Sequence, residues 1–409
     1  MANDCYLAIQ ASLPYRIVFF MEDILYRYNP WWEGNHHLES IMERPAPVER
    51  MKKYLHSGHI VFLTGLRRIG KTTLLKLLIK DLIQKEQVKP EHICYISLDD
   101  YLRSKKSILE IVEEYRKTHK LSVRQKIFLF LDEISYQKDY EIQLKNLYDL
   151  QTAKTFASSS SASILKSRNP YLTGRSVTLE VLPLDFQEYL TFKQVKISKA
   201  DNHLIDRYFE DFLKTGGLPE YVLRGDIEYL KELVDDIIYK DIVAFHNIKN
   251  PQLMKDYFLL LTERAGKIGS INKIANILKI SPDTAKRYLE MFADTYLFHL
   301  VSRCGKTNVR ILAPKKVYAA DLGIRTLFTG FRDIGSLFEN YVYLKIKHLN
   351  PCYVYEDGSE IDFLTSEKTL IEVKYHSQMT KKQQALFHTY PAKKKVTLSS
   401  IKDLEEVKL

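Results

Sequence analysis

The sequence predicts an α/β protein whose first half is a parallel sheet covered by helices. Three observations carry that prediction. The apolar stretch His59-Ile60-Val61-Phe62-Leu63-Thr64 runs into the loop Gly65-Leu66-Arg67-Arg68-Ile69-Gly70-Lys71-Thr72, and a helical pattern follows from Thr73 to Lys80. A second apolar run, Lys126 to Leu131, ends in the acid pair Asp132-Glu133. Strand-length apolar runs alternate with helix-length segments from residue 56 to residue 183, as a parallel sheet with crossover helices requires.

The loop is the centre of the reading. Its two glycines let the backbone curl tightly. Successive amide N–H groups then point inward at phosphate oxygens, beside a helix N-terminus. Lys71 is placed to reach the outer phosphates, and Thr72 to put its hydroxyl on Mg²⁺. Gly65, Arg67, Arg68, Ile69, Gly70 and Thr73 complete the cradle. An apolar strand ending in two acids is the partner such a loop needs. Asp132 is expected to hold Mg²⁺ through water, and Glu133 to polarise an attacking water.

Two further features flank this pair. A strand through Thr155-Phe156-Ala157 ends in four serines, Ser158 to Ser161. Ser160 either touches the terminal phosphate and the water or belongs to a flexible loop. Arg168 and Arg175 follow; each either reaches a neighbouring subunit's nucleotide or sits in a surface ion pair.

The chain of 409 residues is long enough for several domains, each with its own core. No apolar run approaches membrane-spanning length, and Ile17 to Met21 is too short and too closely flanked by charge for a signal peptide. Cys5, Cys94, Cys304 and Cys352 lie far apart, without zinc or disulfide-framework spacing. A cytoplasmic protein with free thiols and no membrane partner is expected. The net charge of +10 permits a nucleic-acid partner without establishing one.

Residues 1–50 read as a helical lead-in. A helix from Ile17 to Tyr28 stops at Pro30, and Trp31 and Trp32 follow. The two tryptophans either pack on the core or serve a base or subunit contact. Arg44-Pro45-Ala46-Pro47 reads as a linker before a short helix, Val48 to Leu55.

On these residues, together with Leu172-Thr173-Gly174-Arg175 and Pro183 to Leu190, the chain resembles an AAA+-type ATPase. It resembles in particular a prokaryotic family that joins an AAA domain to a C-terminal DUF4143-type region. The resemblance implies ATP binding with Mg²⁺, a polar sensor among the strand-end serines, and homo-oligomers formed through the ATPase core. That core is read as residues 51–183.

Residues 184–255 read as a helical lid, with helices over Leu204 to Leu213 and Tyr229 to Val243 around Gly216-Gly217-Leu218-Pro219. Residues 256–325 read as a winged helix-turn-helix. Ser270 to Leu278 is one helix, Ser281 caps the next, and Asp283 to Phe292 offers Thr284, Lys286 and Arg287 to solvent, with a hairpin expected around Lys306–Arg310. Such a unit either enters a DNA groove or makes protein contacts.

Residues 326–409 carry a second pattern. Glu339 lies on a helix, Asp362 on a strand, and Glu372 alternates with Lys374 on the next strand. Two or three carboxylates beside a lysine suit a second Mg²⁺ or a Mn²⁺ and phosphodiester hydrolysis. Asp362, Glu372 and Lys374 resemble the PD-(D/E)xK nuclease signature, although no proline precedes Asp362. The fold expected is thus an α/β P-loop AAA+-type core with a helical lid, a winged helix domain and a small α/β restriction-endonuclease-like domain. Three functions compete: an ATP-driven switch on nucleic acid, an ATP-gated metal-dependent nuclease, and a nucleotide-ordered scaffold.

Overall fold

The computed structural model describes residues 21–34, 41–101, 106–160, 171–198 and 200–407. They divide into two compact units. One is drawn from Met1–Phe62, Thr72–Ser158 and Arg168–Leu179, the other from Leu63–Lys71, Ser159–Ser167 and Glu180–Leu409.

The first unit holds a sheet of strands β1 (Ile60–Thr64), β2 (Ile93–Ser97), β3 (Ile127–Asp132), β4 (Ala153–Ser159) and β5 (Ser176–Glu180), in the order β2-β3-β4-β1-β5. β2, β3 and β4 pair in parallel. β1 is buried along its whole length, as a strand covered on both faces must be. Helices Lys71–Gln84, Ile108–Thr118 and Tyr140–Leu150 connect the strands. Ser107 and Glu110 close a capping box that starts the second of these.

β2 is an edge strand, and the lead-in segment covers it. The buried Asn29 accepts from the Tyr95 amide at 2.6 Å and donates to the Tyr95 carbonyl at 2.8 Å, completing one ladder position with a side chain. The indole nitrogens of Trp31 and Trp32 both donate to the Ile93 carbonyl, at 3.4 and 2.9 Å. Trp32 also stacks on Tyr115 and meets His119 edge-on at 4.2 Å. The two tryptophans therefore seal a sheet edge that would otherwise offer an unpaired carbonyl. A helix begins at Pro45, inside the expected linker, because proline is at home in a first helical turn. Of the lead-in helix, Met21–Tyr28 is described; its expected start at Ile17 lies outside the described residues.

In the second unit, helices Phe186–Phe192, Ile205–Thr215, Pro219–Arg224 and Ile227–Asp236 form the lid region. The expected helix Tyr229 to Val243 changes character half-way: Ile237–Ala244 is π-helical. The lid is stapled to a distant turn by Asp321. Its carboxylate accepts from the Gly217 amide at 2.7 Å and the Ile324 amide at 3.0 Å. Backbones meet so closely here that a Cβ at Gly217 would lie 2.2 Å from the Leu184 carbonyl oxygen, and one at Gly323 2.0 Å from that of Thr215. Only glycine fits such an approach.

Helices Pro251–Glu263, Ile271–Leu278 and Pro282–Asp294 follow, then strands β6 (Phe298–Val301) and β7 (Lys316–Ala319), paired antiparallel. Ser281 caps its helix as expected, accepting from the Thr284 amide at 3.1 Å. The expected hairpin around Lys306–Arg310 is displaced. Those residues fall in a short exposed helix, Thr307–Leu312, and the ladder lies on either side of it.

Helix Ile334–Ile346 leads to a four-stranded sheet of β8 (Cys352–Glu356), β9 (Ser359–Leu364), β10 (Thr369–Val373) and β11 (Lys394–Leu398), in the order β11-β10-β9-β8. β9 pairs antiparallel with both β8 and β10, whereas β10 and β11 are parallel, with helix Lys381–Thr389 as the crossover. Val354, Ile361, Leu364, Leu370 and Phe387 form the core beneath it. Cys304 and Cys352 form a disulfide, which corrects the expectation of free thiols. The Arg303–Tyr353 bridge brings these two cysteines together, and Cys94 stays free and buried. Among the described residues, no helix is long and apolar enough to cross a membrane.

Candidate functional site

Asp132 sits at the end of β3, 2% exposed, and is the hub of the first cluster. Thr72 Oγ1 donates to its Oδ2 at 2.6 Å, and Tyr95 Oη donates to the same oxygen at 2.8 Å. Ser158 Oγ donates to Oδ1. The Glu133 amide donates to Ser158 Oγ at 3.0 Å. Burial, followed by the charge of Asp132, pushes the Tyr95 phenol far above its ordinary pKa, so it stays a donor.

The register explains this convergence. Leu131 pairs with Ala157, so the next residues along, Asp132 and Ser158, emerge side by side at the strand ends. Ser158 thus meets the acid pair, and Ser160 lies just past the end of β4. Glu133 turns off the strand in the left-handed region, φ 51° and ψ 49°.

Lys71 precedes Thr72 and belongs to the loop. Its side chain is 4% exposed, and its ammonium donates to the Gly65 and Leu66 carbonyls, each at 3.1 Å. Gly65 has φ 141°, and a Cβ there would lie 2.5 Å from the Val181 carbonyl oxygen. Gly70 has φ 97°, so both glycines are required by the backbone. A hydroxyl and a carboxylate converging at 2.6 Å are a donor set suited to a hard divalent cation. The residues therefore fit Mg²⁺, which Thr72 would hold directly and Asp132 through its carboxylate, supplying charge neutralisation for bound phosphates.

The loop arginines are held elsewhere. Arg67 Nη2 lies 2.9 Å from Asp241 Oδ1, and Arg68 Nη2 lies 4.0 Å from Asp236 Oδ2 with its guanidinium 5.0 Å over the Tyr229 ring. Arg175 lies 3.6 Å from Asp149 and 5.7 Å over Tyr148, which is the ion pair the sequence allowed. Arg168 lies outside the described residues.

The C-terminal residues also converge, but around a lysine that the sequence reading missed. Lys316, 2% exposed, places its ammonium 2.7 Å from Glu339, 3.0 Å from Asp362 and in contact with Glu360. Burial opposes its charge, yet Glu339 and its neighbours outweigh burial and hold it well above the usual lysine value. The carboxylates of the cluster have further partners. Asp362 Oδ2 accepts from the Val373 amide at 2.9 Å, Glu339 from Tyr318 Oη at 2.6 Å, and Glu372 from the Asp362 amide, Gln383 and Lys374. Burial and then Asp362 raise Glu339 to about 7 and Glu372 to about 8. Among the described residues, no group of three or more His, Cys, Asp or Glu is arranged to hold a metal ion. Where the sequence led to a second Mg²⁺ or Mn²⁺ at Glu339, Asp362 and Glu372, the Lys316 ammonium lies against Glu339 and Asp362, and Lys374 against Glu372.

Comparison with known proteins adds the following. An AAA domain family matches residues 57–190, and a domain of unknown function, DUF8612, matches residues 206–334. An uncharacterized protein of Methanocaldococcus jannaschii, MJ1544, is 31% identical over 80% of this chain and 77% of its own length. An uncharacterized protein of Haemophilus influenzae is 24% identical over 80% of this chain and 84% of its own length. Among solved structures, a Walker-type ATPase of Pyrococcus abyssi covers 71% of this chain and 96% of its own at 16% identity, with a TM-score of 0.42. Cdc6p of Pyrobaculum aerophilum covers 75% and 99% at 13% identity, with a TM-score of 0.30.

Proposed function

This chain belongs to the family of the uncharacterized Methanocaldococcus jannaschii protein and carries an AAA domain, and from that premise we propose that it hydrolyses ATP with Mg²⁺ to drive a conformational change on nucleic acid. The observation that carries the reading is the continuous chain Thr72–Asp132–Ser158–Glu133. Lys71 neutralises the outer phosphates once its ammonium leaves the loop carbonyls. Glu133 takes the proton of the water that attacks the terminal phosphorus, and ADP leaves. Ser158 ties the backbone of that base to Asp132, so both acids move together.

Nucleic acid enters through the Ser281-capped helix and the β6–β7 ladder. Lys286 of that helix and Arg310 and Lys315 of the segment between β6 and β7 supply its cations. Neutralising phosphates there releases counterions. Assembly of copies through the ATPase half is part of the same proposal, with Arg175 loosely held by Asp149 and able to change partner. The nuclease alternative has no comparable support, because Lys316 fills its carboxylate cluster.

The test is phosphate release with and without duplex DNA. Lys71→Ala should lose nucleotide binding. Glu133→Gln should keep binding and lose about 100-fold or more in turnover. Unchanged turnover in Glu133→Gln sinks the base assignment. Failure of duplex, forked and single-stranded DNA to bind at low salt reduces the protein to an ATPase acting on other proteins.

A further inference from the structure

Phosphate-facing loops carry cations for a reason, yet both loop arginines here are drawn onto the lid. Arg67 and Asp241 form a 2.9 Å ion pair, each side chain 25% exposed. Arg68 faces Asp236 at 4.0 Å, and Asp236 also binds Lys240 at 2.7 Å. The two acids bracket the point at which helix Ile227–Asp236 gives way to the π-helical stretch Ile237–Ala244. π-helical turns are rare and are found mostly at functional sites. This one is anchored by the buried Ile237, Ile238 and Ile242 while Asp241 reaches the loop.

A terminal phosphate carries more charge than one carboxylate and offers the same forked acceptor geometry to a guanidinium. It is therefore a direct competitor for Arg67. Building on the ATP reading above, we propose that Asp241 is a positioning residue that holds Arg67 off the terminal-phosphate position. On ATP binding Arg67 exchanges Asp241 for that phosphate, so Arg67 distinguishes ATP from ADP. The exchange releases the π-helical segment, whose freedom then reports the nucleotide state. No bond is made or broken in this step; one ion pair replaces another. A ligand shifts such an equilibrium only by its differential affinity for the two states, which here is the contact between Arg67 and the terminal phosphate.

Fluorescent ATP and ADP analogues titrated into the full chain test this, with melting temperature recorded without nucleotide. Asp241→Asn keeps the shape and removes the competing charge. ATP affinity should rise about fivefold, the factor a partly exposed ion pair of this kind is worth. ADP affinity should change by less than about twofold. Asp241→Glu should restore the wild-type ratio. Arg67→Ala should lower the preference for ATP and abolish the effect of Asp241→Asn in the double variant. Equal tightening of ATP and ADP, or no change in either at an unchanged melting temperature, overturns the exchange. Absence of nucleotide binding by the wild type overturns the ATP reading itself, a separate result.

Discussion

Replacing Lys316 by methionine should be among the most damaging single changes in the second unit. Methionine keeps the length of the aliphatic stem and removes the charge. The ammonium lies 2.7 Å from Glu339 and 3.0 Å from Asp362, at 2% exposure, so no solvent can replace it. Removing one partner of a buried ion pair costs about 3–5 kcal/mol. A unit of this size loses roughly 2–4 °C per kcal/mol, so a fall of about 6–20 °C in melting temperature is expected near pH 8.

The pH dependence has a definite sign. Glu339 and Glu372 have folded pKa values raised to about 7 and about 8. Such groups favour the fold fully below their unfolded pKa, and that contribution is lost as pH rises through the folded values. Without Lys316 the folded Glu339 value rises further, so acid should rescue the variant. The deficit relative to wild type at pH 5.5 should be well under that at pH 8. Thermal melts followed by circular dichroism at pH 5.5, 7 and 8 measure this. A variant within 2 °C of wild type at pH 8, or a deficit that grows in acid, would refute the idea that this ammonium neutralises the cluster.

Two further outcomes are expected. Ser158→Ala should lower ATP turnover about tenfold with little change in KM, since the hydroxyl positions the Glu133 backbone and Asp132 without binding substrate; steady-state kinetics separate the two parameters. Lys286→Ala and Arg310→Ala should each flatten the salt dependence of DNA binding, by about one unit of slope per lost phosphate contact; fluorescence anisotropy across a salt series reads this.

The phosphate loop and acid strand were legible because their signal is local. A glycine-bounded loop after an apolar strand, and an acid pair after another, need no distant partner to be recognised. Choosing among four consecutive serines was not possible on the same terms. Only the pairing of Leu131 with Ala157 sets Ser158 beside Asp132, and pairing is not written in either strand alone. Lys316 was missed for a related reason. A Lys315-Lys316 pair reads as solvated, and what buries the second lysine comes from Glu339, Glu360 and Asp362. Cys304 and Cys352 are 48 residues apart and carry no spacing signal; a bridge between neighbouring backbones joins them. The change to a π-helix at Ile237 has no compositional mark, since apolar residues there serve either helix.

The Asp321 staple has a consequence for how the chain is made. Gly217 and Asp321 are 104 residues apart, and the glycines around them allow no loose approximation of the contact. On a ribosome adding about 5–20 residues per second, Gly217 waits roughly 5–20 s for its partner to be synthesised. During that interval the apolar face of Ile205–Thr215 lacks the helix Leu322–Thr329 that packs on it. The vulnerable form of this protein is therefore a nascent one, and slow translation between these two points lengthens its exposure.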